Sequence, residues 1–107
     1  MADQASDSPI LDLLASMNRA GIEASTLDAQ SLMLVRLAAL VAVDAPPTSY
    51  LMNIGAASEI GIDEEKVRGV LAAVAPIVGT ARIASATGNI VRALGLAIEI
   101  AELDDDD

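Results

Sequence analysis

The chain has 107 residues, of which sixteen are acidic and six basic, for a formal net charge of −10, and it contains neither cysteine nor histidine. Disulfides, thiolate nucleophiles, Cys/His zinc or haem sites and a Ser-His-Asp triad are therefore excluded, and a charge of this sign opposes binding to nucleic-acid phosphates or anionic lipid. Hydrophobic residues make up 53 % of the chain but include one Tyr and no Phe or Trp, so any core must be built from Ala, Leu, Ile, Val and Met. Residues of this kind suit closely packed helices.

A chain of this length fits one domain and buries roughly two-thirds of its unfolded surface. The expected division is a flexible N-terminus over 1–8, a helical domain over 9–103 and a disordered acidic tail over 104–107, where six of the last nine residues are acidic. The longest strictly apolar run, Leu37 to Val43, is too short to span a bilayer, and the acidic start MADQASDSP lacks the basic region of a signal peptide. A cytoplasmic protein with no membrane and no nucleic-acid partner is the expectation.

Five segments carry a helical period with start and stop signals, and none alternates as a strand. The first runs from Pro9 to about Ala20, with Ser8 as N-cap, Gly21 as a left-handed stop and an apolar stripe of Ile10, Leu13, Leu14 and Met17. The second starts at Thr26 or Asp28 and reaches Val43, ended by Asp44 and Pro46-Pro47. Leu32, Val35, Leu37, Ala39, Leu40 and Val43 make it apolar nearly all round, which predicts a central position.

The third opens at Pro46 or Pro47 and stops at Gly61. The fourth starts at Asp63, whose carboxylate caps it while Glu64 and Glu65 favour its positive end, and it runs to about Pro76. This acid cluster does not match the spacing of a calcium loop, so no metal is expected there. The fifth follows Gly79, with Thr80 as cap, and continues to about Leu103. Ile83, Ile90, Leu94, Ile98 and Ala101 form its stripe, and Ala84, Gly88 and Gly95 predict close approach to another backbone, within the chain or across a subunit interface.

With Cys and His absent, acid–base work would fall to Asp, Glu, Lys66 or Tyr50. Ser49 and Asn53 lie one turn apart on the third helix beside Tyr50, and such a polar group near a helix start can orient a carbonyl or an anion. Arg36 lies within the most apolar helix and must find a partner or solvent. Pairing with Glu59 or Asp44 is the structural expectation, and binding a substrate carboxylate is the functional one. Ser49, Tyr50, Asn53 and Arg36 thus form a candidate pocket. For the first three the structural alternatives are a capping hydroxyl for Ser49, packing for Tyr50 with its hydroxyl towards water, and an internal hydrogen bond for Asn53. No cofactor is implied.

The stretch LDAQSLMLVRLAALVAVDAPPTSYLMNIGAASEIGIDEEKVRGVLAAVAPIVGTARIASA, Leu27 to Ala86, resembles the carboxymuconolactone decarboxylase and alkylhydroperoxidase D-like superfamily. The resemblance lies in the LVRLAALVA helix, the AxxxG helix end, the GIDEEKVRGVL turn and PIVGTAR. It implies an all-α bundle of about five helices that assembles as a trimer or hexamer. In peroxidase-like members the third helix carries Cys-x-x-Cys and a following His, with a Glu on the preceding helix. Aligned on Ala57 and Gly61, those positions are Pro46, Ser49 and Asn53 here, and the Glu position falls near Met33 or Leu34. Every member of the redox set is replaced, so peroxidase or peroxiredoxin activity would follow only from a family-level label. What the resemblance then implies is a redox-inactive oligomer with a structural or interaction role and an unidentified protein partner. The alternative is a non-redox enzyme or binder of a small organic acid or lactone.

Overall fold

A computed structural model describes residues 8–105. Most of the residues expected to form a flexible start and an acidic tail lie outside that range. Among the described residues the chain is all-helical, with α1 at Pro9–Ala24, α2 at Ala29–Ala42, α3 at Pro47–Glu59, α4 at Glu64–Val78 and α5 at Thr80–Asp105. Asp104 and Asp105 thus continue the last turn of α5.

The capping chemistry explains most of these bounds. The Asp28 carboxylate accepts the Ser31 N–H at 2.7 Å and the Asp63 carboxylate accepts the Lys66 N–H at 3.0 Å, each satisfying a donor that the first helical turn leaves free. These bonds stabilise the ionised form, so both carboxyl groups titrate below the ordinary aspartate value. At the far end of α3, Gly61 N–H bonds to the Ser58 carbonyl and Ile62 N–H to the Ala57 carbonyl, with Gly61 at φ 88°. This paired, left-handed ending closes off the last carbonyls of the helix. Gln30 of α2 adds a bond from its amide to the Ile60 carbonyl at 3.1 Å.

The same ending closes α2 without glycine. Asp44 has φ 58°, its N–H bonds to the Val41 carbonyl, and Ala45 N–H bonds to the Leu40 carbonyl. Aspartate tolerates the left-handed region better than most residues, and here Ser85 of α5 donates to its carboxylate at 2.6 Å. Arg82 donates to the Ala42 carbonyl at 2.8 Å and Asn89 to the Ala45 carbonyl at 3.1 Å. Residues at i, i+3 and i+7 of α5 therefore form a polar clasp over the α2–α3 turn.

Three expected bounds shift. Gly21 does not stop the first helix, which continues to Ala24. A Cβ at Gly21 would come within 3.1 Å of the Arg36 guanidinium, so its smallness serves the contact between α1 and α2 rather than a turn. Pro76 lies inside α4, two residues before the end, where its missing N–H costs only one late bond. Thr80 is helical rather than a cap. Gly79, at φ 90°, alone joins α4 to α5, and its carbonyl accepts the Ile83 N–H.

The core lies between α2, α3, α4 and α5. Val41, Ala45, Tyr50, Ala86 and Ala93 are buried there, with Leu37, Leu40, Leu51, Leu71, Val74, Ile83 and Ile90 packed around them. Ala86 and Ala93 are fully covered, and they are the small residues that let α5 approach its neighbours. Gly88 and Gly95 do not serve that end within the chain, because a Cβ at Gly88 would meet only the Arg92 side chain and one at Gly95 would meet nothing. The central position predicted for α2 holds, since it packs against α3, α4 and α5. Its apolar surface exceeds what they cover, and Val35 and Val43 stay exposed.

Candidate functional site

A cavity of about 430 Å³ lies among these four helices. Met33, Leu37 and Leu40 line it from α2, Tyr50 and Asn53 from α3, Leu71 from α4 and Ile90 from α5. Helical spacing makes this wall. Met33, Leu37 and Leu40 succeed one another at four and three residues on one face of α2, and Tyr50, Asn53 and Ala57 at three and four on α3. Its exposed edge carries Glu64, Arg68, Thr87, Val91 and Leu94.

The four residues of the expected pocket separate in the structure. Tyr50 and Asn53 line the cavity and Ser49 and Arg36 do not. Ser49 lies in the first turn of α3, where its N–H bonds to the Pro46 carbonyl and its own carbonyl accepts the Asn53 amide at 3.0 Å. The internal hydrogen bond expected for Asn53 is thus made within its own helix. Arg36 turns to α1, with its guanidinium on the Asn18 side chain and, at 3.3 Å, on the Asn18 carbonyl. Neither Glu59 nor Asp44 is its partner. The reason is geometric: Asp44 is held by Ser85 at the far end of α2, while Asn18 presents two oxygens directly across from Arg36.

Tyr50 also differs from the expectation of a hydroxyl reaching water. It is only 3 % exposed, and its hydroxyl is buried with no protein hydrogen-bond partner. Burial first, and the negative charge of Asp44 second, push its pKa above the ordinary tyrosine value. A proton held this firmly makes Tyr50 a poor acid and leaves little tyrosinate to serve as a base. The ion pair at the cavity edge, Arg68 to Glu64 at 3.9 Å, is one helical turn long and largely solvated, so it adds little stability.

The residues at the three redox positions of the resembling family can be placed individually. Pro46 precedes α3, Ser49 is in its first turn and Asn53 is one turn further, turned back on Ser49. None carries a thiol or an imidazole. Met33 lines the cavity. Its side chain has no acid to relay a proton.

Sequence reasoning missed the α5 clasp, although the i, i+3, i+7 spacing of Arg82, Ser85 and Asn89 was available as a signal. Arg92 extends the same polar face by donating to the Asn89 side-chain oxygen at 2.9 Å. By length and hydropathy alone, Thr80–Leu103 could also cross a membrane. Its clasp and its fully covered alanines are what a helix packed within a bundle needs equally well. Compared with protein-family models, curated proteins and solved structures, the chain matches none.

Proposed function

We propose that this chain is a redox-inactive, carboxymuconolactone decarboxylase-like helical oligomer of the cytoplasm, a trimer or hexamer with a structural or interaction role. The observation that carries the reading is α1. No residue of that helix is buried, and Ile10, Leu11, Leu13, Leu14, Met17 and Ile22 are all exposed. Asp12, Ser16, Arg19 and Glu23 gather on one face of it, leaving a wide apolar arc whose fixed polar contact with the bundle is Asn18 on Arg36. An apolar surface of that extent favours a protein partner over water.

The surface area supports a second copy as that partner. The chain exposes 7238 Å², whereas a compact folded monomer of this length exposes roughly 5,600 Å². Its radius of gyration is 15.4 Å, against about 13 Å for a compact domain. The excess area, on the order of 1,600 Å², corresponds to about two patches of the roughly 800 Å² that each partner contributes to a stable interface. Two patches per subunit are what a closed ring requires. The absence of Cys and His bears on the chemistry, since no thiol or imidazole stands at Pro46, Ser49 or Asn53.

Light scattering at micromolar concentration tests the assembly. The expected mass is three or six times that of the chain, and a monomer would overturn the reading. The double variant Leu13→Glu, Met17→Glu is expected to yield a smaller species with its helix content kept. A second reading, a non-redox enzyme or binder of a small organic acid or lactone, is favoured by the cavity beside Tyr50 and Asn53.

A further inference from the structure

The polar groups around the cavity are few, and those that face its interior are uncharged. The Asn53 amide N–H is given to the Ser49 carbonyl at 3.0 Å, and the Thr87 hydroxyl to the Ile83 carbonyl at 2.8 Å. Arg68, the one basic residue on the lining, stands at the exposed edge beside Glu64. The Tyr50 hydroxyl is shut away from solvent. What faces the space is hydrocarbon from α2, α3, α4 and α5, with Met33, Leu37, Leu71 and Ile90 prominent.

We infer that this cavity binds an uncharged, hydrocarbon-rich small molecule and discriminates against organic acids. The inference rests on the binder reading of the same cavity and narrows its ligand class. A carboxylate entering here would exchange its hydration for neutral donors alone, the Tyr50 hydroxyl and the second Asn53 N–H, with no cation inside to balance its charge, and that loss is costly. Drawing Arg68 inward would desolvate a second charge and break its pairing with Glu64. The chain's net charge of −10 adds repulsion. A neutral ligand meets none of these costs and gains the burial of its apolar surface. The volume of about 430 Å³ equals that of about fourteen water molecules at roughly 30 Å³ each. It also falls within the range typical of small-molecule sites.

Tyr50 is the only aromatic residue in the chain and lines the cavity, so its fluorescence reports occupancy. The oligomeric protein is titrated at pH 8 with 2-decanone and, separately, with decanoate, which match in chain length and differ in charge. The ketone is expected to bind saturably at one molecule per chain, and decanoate at least tenfold more weakly. Ala57→Leu and Thr87→Leu, which place bulk at the inner wall and the edge, are each expected to weaken ketone binding at least tenfold while circular dichroism shows unchanged helix content. If neither compound binds saturably, the binder reading itself falls. Decanoate binding as tightly as the ketone would overturn the ligand class alone. Ketone binding untouched by both folded variants would remove the ligand from this cavity and overturn the site. Should one variant fail to fold, the other decides.

Discussion

The helices α1 and α5 are both long, alanine-rich and striped with large aliphatic residues, yet only α5 contributes buried residues to the core, although Leu94, Ile98 and Leu103 in its second half are exposed. Ala86 and Ala93 of α5 are fully buried, whereas every residue of α1 is at least partly exposed along sixteen residues. Their sequences carry the same kind of periodicity. What separates them is the set of side contacts. On α5, Arg82, Ser85 and Asn89 lock the helix onto the α2–α3 turn, and alanines between them let it sit close. On α1 the fixed polar contact is Arg36 on Asn18, and the large residues around it are exposed. A helical stripe marks a face that favours burial, and the small residues and polar bonds beside it decide whether a neighbour within the chain covers it.

Adding the same bulk to both helices is the strongest way to break this contrast. Ala93→Leu enlarges a fully buried side chain and is expected to cost about 1–3 kcal/mol, while Ala15→Leu in the exposed α1 stays within about 0.5 kcal/mol. Urea denaturation monitored by circular dichroism measures both, and equal losses would show that α1 is as tightly held as α5.

Tyr50 sharpens the comparison from inside the core. Because its buried hydroxyl has no protein partner, Tyr50→Phe is expected to leave stability unchanged or raise it by about 1 kcal/mol. A loss of that size would instead reveal a bond made by the hydroxyl. The pH dependence follows the same geometry. Burial and Asp44 raise the Tyr50 pKa in the folded state, so the folded protein keeps the proton longer than the unfolded chain. That contribution is fully present below the unfolded value of about 10 and is lost as pH rises through the folded value. Tyr50→Phe should therefore flatten the alkaline limb of stability against pH, read as the melting temperature between pH 9 and 11.

The smallest expected effect lies at the helix starts. Asp63→Ala removes the bond to the Lys66 N–H and should lower the melting temperature by a few degrees. Asp28 and Asp63 both have depressed pKa values in the folded state. Their contribution is thus present above the unfolded aspartate value of about 4 and is lost as pH falls through the folded values. Asp63→Ala should show a shallower acid limb than the parent chain in the same melting series, and an unchanged limb would remove Asp63 from that account.

Much of the fold was legible in local chemistry. Asp28, Asp63 and Gly61 stand where a cap or a stop was expected, because capping depends on residues three or four apart and on backbone angles that few side chains tolerate. Gly21 misled for the complementary reason: a glycine can mark a turn or make room for a neighbour, and only the Arg36 side chain reveals which. Of the four candidate residues, two line the cavity. Tyr50 and Asn53 share a face of one helix, so their proximity is a matter of spacing. Arg36 belongs to another helix, whose rotation is set by packing, and that rotation turns it towards Asn18.

By itself the sequence determined an all-helical chain with five segments, a core without aromatic rings other than Tyr50, a strong negative charge and chemistry without thiol or imidazole. These follow from composition and from interactions that reach no further than a helical turn. Tertiary structure alone decided that α1 would stay uncovered, that α5 would clasp the α2–α3 turn and that a cavity would remain beside Tyr50. Such outcomes depend on how side chains from separate helices fill a shared volume, and hydrophobic burial rewards the area covered without naming the surface that covers it.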